Sequence, residues 1–251
     1  MIPADRMRTK GNTMSTSTLF KGLIVTLGAS SALFCLPSVG SPQKMTKCWF
    51  IEEQNKLLGD NQIYASPRAV KILFFNKKWI DIARAPDWEL YVLNPTSKIY
   101  WHTPLSKWKG TALLQSASII DRTVKPTKTD ETKKILSFTA TKYVTTGTDP
   151  TRKEKEKEEY WVTKEIMLPK QIIHIIAANA GMPDTDGFPL RVTVMRFQGV
   201  NSTTMLNTAS AKQTTVPENF FNLPSGYKYT SKPEDVMSGG VIHLLEQIIT
   251  D

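Results

Sequence analysis

Trp88-Glu89-Leu90-Tyr91-Val92-Leu93 and Lys98-Ile99-Tyr100-Trp101-His102 flank the turn cluster Asn94-Pro95-Thr96-Ser97. That pattern, repeated along the chain, constrains the fold more than any other feature of the sequence. β-branched and aromatic residues suit a pleated, half-buried surface, and two such runs around a short polar turn predict an antiparallel hairpin. Val70 to Phe75 is a third run, and Trp79 to Ala83 a fourth, alternating with Ile80 and Ile82 on one side. Ile135 to Tyr143 reads as one half-buried strand, with Leu136, Phe138 and Ala140 facing one way and Ser137, Thr139 and Thr141 the other. Glu159 to Lys164, Leu190 to Phe197 and the threonine-rich Thr203 to Thr215 complete the predicted strands. The fold class is therefore α+β and β-rich.

Helices are few. Pro169 fits the first helical position, Gly181 the C-terminal stop, and Pro183 lies just beyond. Ile172, Ile173, Ile176 and Ala180 form an apolar stripe, and His174 falls nearly opposite it, toward solvent. A short helix is expected within 105–118. Val241, Leu244, Leu245 and Ile248 give an amphipathic helix at the C-terminus, with His243, Glu246, Gln247 and Thr250 opposite. Thr145 to Glu159, with the run Arg152 to Glu159, reads as a solvated, charged hairpin extension near 145–159.

Residues 1–40 read as an address. Arg6, Arg8, Lys10 and Lys21 precede the apolar run Gly22–Leu36, fifteen residues long, and Pro37 and Ser38-Val39-Gly40 follow. This order fits a secretory signal peptide cleaved after Gly40, and the run is shorter than the roughly 20 residues of a bilayer span. Initiation at Met14 leaves the signal intact. Leu33-Phe34 before Cys35 fits a lipobox poorly, so lipid anchoring at Cys35 is not expected. The expected mature chain, 41–251, forms a single domain with only Cys48 as a thiol. An oxidising destination therefore brings it no internal disulfide. Its location is expected to be periplasmic or extracellular, with no stable transmembrane span after cleavage.

Composition matters at this point. The chain has 251 residues, 40% of them hydrophobic, enough for a core. The formal charge of +9 falls to +6 when four Lys/Arg and one Asp leave with the signal. No Lys/Arg stripe joins strand aromatics, so nucleic acid is not an expected partner. A modest basic surface beside anionic lipid is the better account.

Chemical motifs are sparse. His102, His174 and His243 stand outside metal-ligand spacings, and GxSxG, Walker and GxGxxG patterns are missing. Asp184 and Asp186 lack the later bidentate Glu of a calcium loop. No catalytic residue, metal or cofactor is assigned. A hydrolase would need His102 or His243 beside a hydroxyl and a carboxylate in the folded chain. Trp79, Trp88, Trp101 and Trp108, with Tyr91 and Tyr100 among them, serve either sheet packing or the lining of an apolar cavity.

Three segments carry a family likeness: Ile63 to Ile72, the hairpin Trp88 to Trp101, and Phe220-Phe221-Asn222-Leu223-Pro224-Ser225-Gly226-Tyr227-Lys228. Together they resemble the LolA/LppX-like lipoprotein-carrier superfamily, in particular its exported members with a closing F-x-x-P-x-G-Y-K segment. The resemblance implies a strongly curved antiparallel half-barrel with helices packed on its concave face. It further implies a non-enzymatic protein that binds a lipid, acylated molecule or other apolar ligand in that gap and carries it within the cell envelope. Pro169–Gly181 would then plug the gap. The implied ligand-binding residues are Ile172 and Ile176 on the helix, with Val70, Ile72, Phe74, Trp88, Leu90, Val92, Val192 and Val194 on the sheet. The alternative is an envelope protein-interaction or structural module whose core is filled and holds no ligand.

Overall fold

The computed structural model describes residues 43–76, 78–110, 124–148, 155–196 and 201–237. The signal segment, Cys35, Phe197, residues 111–118, Arg152 to Glu154 and the C-terminal helix at 241–250 lie outside the described residues.

Twelve strands form one sheet. Two local meanders build it. The first runs through β1 (Met45–Asn55), β2 (Gly59–Ser66), β3 (Ala69–Phe74), β4 (Trp79–Arg84), β5 (Glu89–Asn94) and β6 (Ile99–Pro104). The second runs through β7 (Thr127–Ile135), β8 (Phe138–Thr148), β9 (Lys155–Thr163), β10 (Phe188–Arg196) and β11 (Asn201–Pro217), with α1 (Lys170–Ala180) between β9 and β10. They join where β1 pairs antiparallel with β11, from Met45↔Pro217 to Asn55↔Leu206. β12 (Lys228–Tyr229) adds a short parallel edge to β6. The order β12-β6-β5-β4-β3-β2-β1-β11-β10-β9-β8-β7 leaves β12 and β7 at the two ends.

Side-chain oxygens set several hairpin turns. Asn55 Oδ1 accepts from the Leu57 and Leu58 amides (2.9 and 3.0 Å), and Asn94 Oδ1 accepts from Thr96 and Ser97 (3.0 and 3.1 Å). Ser66 Oγ does the same for Ala69 at 3.0 Å. A short polar side chain that closes its own turn needs no help from the core, which is why such turns show in sequence.

The run Ile135 to Tyr143 is not one strand. Ile135 ends β7, Leu136-Ser137 turn the chain, and Phe138 pairs back onto Ile135. A turn of two residues preserves a period-two pattern, so alternation passed through it unbroken. Leu136 sits at φ 53° and is half exposed. That region penalises a leucine and tolerates asparagine. Leu136→Asn is therefore expected to raise stability by roughly 0.5–1 kcal/mol, read as a higher urea midpoint with an unchanged m-value.

Register fixes which side chains share a face. Ile51, Ile63, Ile72, Asp81, Val92 and Trp101 lie opposite one another across β1 to β6. The isoleucines, Val92 and the parallel row Val70, Ala83, Leu90 meet Ile172, Ile175 and Ile176 of α1 in the main core, and this side is termed the inner face. β4 thus turns Trp79, Asp81 and Ala83 inward, and Ile80 and Ile82 share the other side. Ile82 is buried on that other face as well. There Cys48, Tyr64, Ala69, Val216, Phe220 and Phe221 make a smaller cluster. The Phe220 ring packs on Tyr64 at 4.7 Å and lies under Lys71 Nζ at 4.3 Å, so the closing segment straps the outer side of β2 and β3.

Candidate functional site

The sheet–helix interface gathers most of the predicted ligand-binding residues. α1 follows Pro169 and stops at Gly181 in the left-handed region, φ 70°, where the Met182 amide bonds Ala177 O at 3.0 Å. This is a glycine C-terminal stop. Ile172 to Ala180 is buried except at His174, so the helix is apolar over most of its circumference, wider than the stripe in the sequence implied. Such a helix needs cover on several sides. Sheet side chains supply it on one, and Leu105 and Trp108, in and after a 3-10 turn at Leu105–Lys107, also belong to the core.

Val70, Ile72, Phe74, Leu90, Val92, Ile172 and Ile176 all lie in one buried cluster. Val192 is in a neighbouring cluster with Tyr160, Ala177 and Ala180, and Val194 is buried opposite Glu158. Trp88 is the exception. It stands in the turn before β5 at φ 50°, partly buried against the core rather than lining a strand face. Trp79 and Trp108 are core residues, and Trp101 packs on Trp108 with ring centroids 6.0 Å apart.

Beneath the C-terminal half of α1 the inner face turns polar. Thr208, Glu53 and Asn61 lie directly opposite one another on β11, β1 and β2, all buried. Asn179 of α1 donates from Nδ2 to Asp81 Oδ2 at 2.8 Å, and its carbonyl accepts from Asn55 Nδ2 at 3.4 Å. Glu53, Asn55, Asn61, Phe74, Ile176 and Asn179 border a void of about 10 Å³, room for a single water. Among the described residues, Glu53 Oε1, Asn61 Oδ1, Asp81 Oδ1 and Thr208 Oγ1 find no hydrogen-bond partner. Burial pushes the Glu53 carboxyl up to about 8 and Asp81 up to about 7, against smaller opposing hydrogen bonds from Asn61 and Asn179. A carboxyl raised by folding favours the folded state while protonated. This interface therefore loses stability as pH climbs from the ordinary carboxylate range through those values.

Sequence reasoning missed this polar group. Its one signal was spacing: Trp49, Ile51, Glu53 and Asn55 share a period-two face, so Glu53 follows Ile51 inward. The charged hairpin is corrected in the same direction. β8 and β9 do pair from Thr141↔Val162 to Thr148↔Lys155, yet Glu156, Glu158 and Glu159 are buried rather than solvated. Tyr160 donates a hydrogen bond to Glu158, while Lys142 and Lys157 pair with Glu159 at 2.9 and 2.7 Å. Along β9, Glu156 and Glu158 share one face and Lys157 and Glu159 the other, and a run that is neutral overall hides that arrangement.

At the other end of α1, Lys164, Ile166, Met167, Leu168, Lys170, Ile173 and Asp184 to Gly187 border an open cleft of about 500 Å³. Met167 is 82% exposed at its edge. His174 is not freely solvated. Its Nδ1 meets Asp184 at 3.0 Å and its Nε2 meets Trp108 O at 3.0 Å, and the Asp184 bond raises its pKa. Asp186 is engaged by Lys164 at 2.5 Å, so both loop aspartates are engaged by basic side chains of the chain itself. Among the described residues no group of three or more His, Cys, Asp or Glu is placed to hold a metal. His102 pairs with Glu89 at 2.6 Å and stacks on Tyr91 on the face away from α1. No described helix is long and apolar enough to cross a membrane.

No protein-family model matches the chain, and no curated protein matches it. Among solved structures it is similar to an uncharacterized conserved protein from Thermus thermophilus, at 13% identity and a TM-score of 0.43 over 74% of this chain and 90% of that one.

Proposed function

We propose that this chain is an exported, non-enzymatic protein of the LolA/LppX-like kind, which shelters a lipid or acylated molecule between the inner face of the sheet and α1. The sheet would be a strongly curved half-barrel with the helix on its concave side. One observation carries the reading. The rings of Trp49 on β1 and Phe138 on β8 lie 5.9 Å apart, although β11, β10 and β9 stand between their strands. Four strand spacings in a flat sheet come to about 19 Å. A sheet bent that far would have a hollow side, with the apolar helix in it. The cleft beside Ile166, Met167 and Ile173 would be the mouth, and each CH₂ drawn in from water contributes roughly 0.8 kcal/mol.

A second reading has its own support. The space under α1 is only about 10 Å³, as a filled-core envelope module with a protein partner would have it. Under the first reading this is the closed state, and ligand enters as the helix lifts. Titration with a dansylated undecanoic acid, together with native mass spectrometry of protein isolated from its own envelope, separates the two. Saturable uptake and co-purifying lipid are expected. Ligand-free protein that takes up no probe removes the carrier reading and leaves the filled module.

A further inference from the structure

We propose that α1 is a proton-latched lid: Glu53 and Asp81, uncharged, let it lie on the inner face, and their ionisation as pH rises releases it. The latch rests on the ligand reading for its purpose, since opening would admit the ligand, but its mechanics can be measured without one.

The geometry is that of a contact made well on one side and incompletely on the other. Ile172, Ile175 and Ile176 seat the helix on apolar side chains. Its C-terminal half instead lies over Glu53 and Asn61, whose unpartnered oxygens belong to residues bordering a water-sized void, and reaches Asp81, which also keeps one oxygen without a partner among the described residues. Asn179 is the helix's own polar contact there, reaching Asp81 by its side chain and Asn55 by its carbonyl. An uncharged carboxyl tolerates that setting, whereas a carboxylate needs several donors or water. Lifting α1 is the way to bring water to both.

Among the described residues no neighbouring charge offsets the change. The residues opposite Glu53 are Thr208 on β11 and Asn61 on β2, and those opposite Asp81 are Ile72 on β3 and Val92 on β5. From α1 itself, Ile176, Asn179 and Ala180 face the void. On the remaining side, Tyr160 of β9 packs with Ala177 and Ala180, its hydroxyl committed to Glu158 and its pKa raised far above neutrality. Lys170 stands at the helix's first position, and His174, away from the void, is a titratable group on the helix itself. Its bond to Asp184 favours the imidazolium, so loss of that proton also loosens α1 as pH rises. Burial raises both acids toward or beyond neutrality, which places the change between about pH 5 and pH 9.

The test is hydrogen–deuterium exchange of the full chain, corrected for intrinsic rates. Protection of amides 172–180 is expected to fall at least about tenfold between about pH 5 and pH 9, while β2 to β4 keep theirs. In Glu53→Gln/Asp81→Asn the fall should shrink to about threefold or less, the remainder belonging to His174. Glu53→Gln alone, expected to lose part of the dependence, serves if the double variant does not fold. Protection of α1 that is flat in the natural chain, unchanged pH dependence in the variants, or equal loss across β2 to β4 overturns the latch. A parallel titration with dansylated undecanoic acid separates the two proposals. A pH-dependent helix with no uptake at any pH keeps the latch and removes the ligand reading. Uptake over a helix of constant protection does the reverse.

Discussion

Phe74→Ala is expected to lower stability by about 3–5 kcal/mol and, under the carrier reading, to raise uptake of a dansylated fatty acid at the same time. Phe74 is buried on the inner face, opposite Asn61 and Trp79 in register, with its ring 5.5 Å from Trp79. It also borders the small void under α1. Truncation removes the ring's transfer energy and leaves a cavity that neighbours fill only in part, because a β-ladder on both sides holds them in place. The cavity opens where the acyl chain would lie. Urea denaturation reads the stability loss, with m expected to hold, and fluorescence titration reads uptake. A destabilised variant that binds probe no better than the natural chain favours the filled-core module. A variant as stable as the natural chain would mean that the helix and sheet do not pack as described.

Gly187→Ala is expected to cost about 3 kcal/mol or more, although the position is a polar loop before β10. Gly187 has φ 150°, which side chains rarely adopt. An added Cβ would lie 2.5 Å from Thr163 O and 3.0 Å from Val162 Cγ1. The carbonyl has little freedom to yield, since Thr163 is paired with Phe188 and buried at the end of β9. Gly226→Ala is the control. It shares a positive φ, 82°, but nothing lies within 4 Å of its Cβ, so strain alone applies, about 1 kcal/mol. Equal urea midpoints for the two variants would show that the close approach at Thr163 contributes nothing.

The two substitutions show different degrees of legibility in the sequence. Phe74 lies in a run that reads as a strand, the family resemblance implied that it lines the candidate site, and register sets it on the inner face. Gly187 carries no such signal, because a clash with a carbonyl 24 positions earlier is a property of strand pairing and leaves no local mark. The same division runs through the molecule. Hairpins closed by Asn94, the helix stopped at Gly181 and the strand at Leu190 are announced by residues within a few positions of one another. The charged strand Thr127–Ile135 and the turn at Leu136 are not, since neighbouring strands rather than propensity hold them in place. Trp88 was misplaced by its aromatic propensity, which a turn with positive φ overrode.

The β-rich class, the short turns and the position of α1 were determined by the sequence alone, because each depends on local hydrogen bonding or on a period of two or 3.6 residues. Only the tertiary structure decided that Met45 meets Pro217 to join two meanders, that Asp81 rather than Ile82 faces the helix, and that Glu53 lies buried beneath it. Each of these depends on which face is covered, and cover is set by the sum of many weak contacts between residues far apart in the chain. A carboxylate in an alternating strand looks the same on either face. Whether it stands in water or under a helix is settled by which strands and which helix cover it, and with it whether the residue is a surface charge or a buried acid.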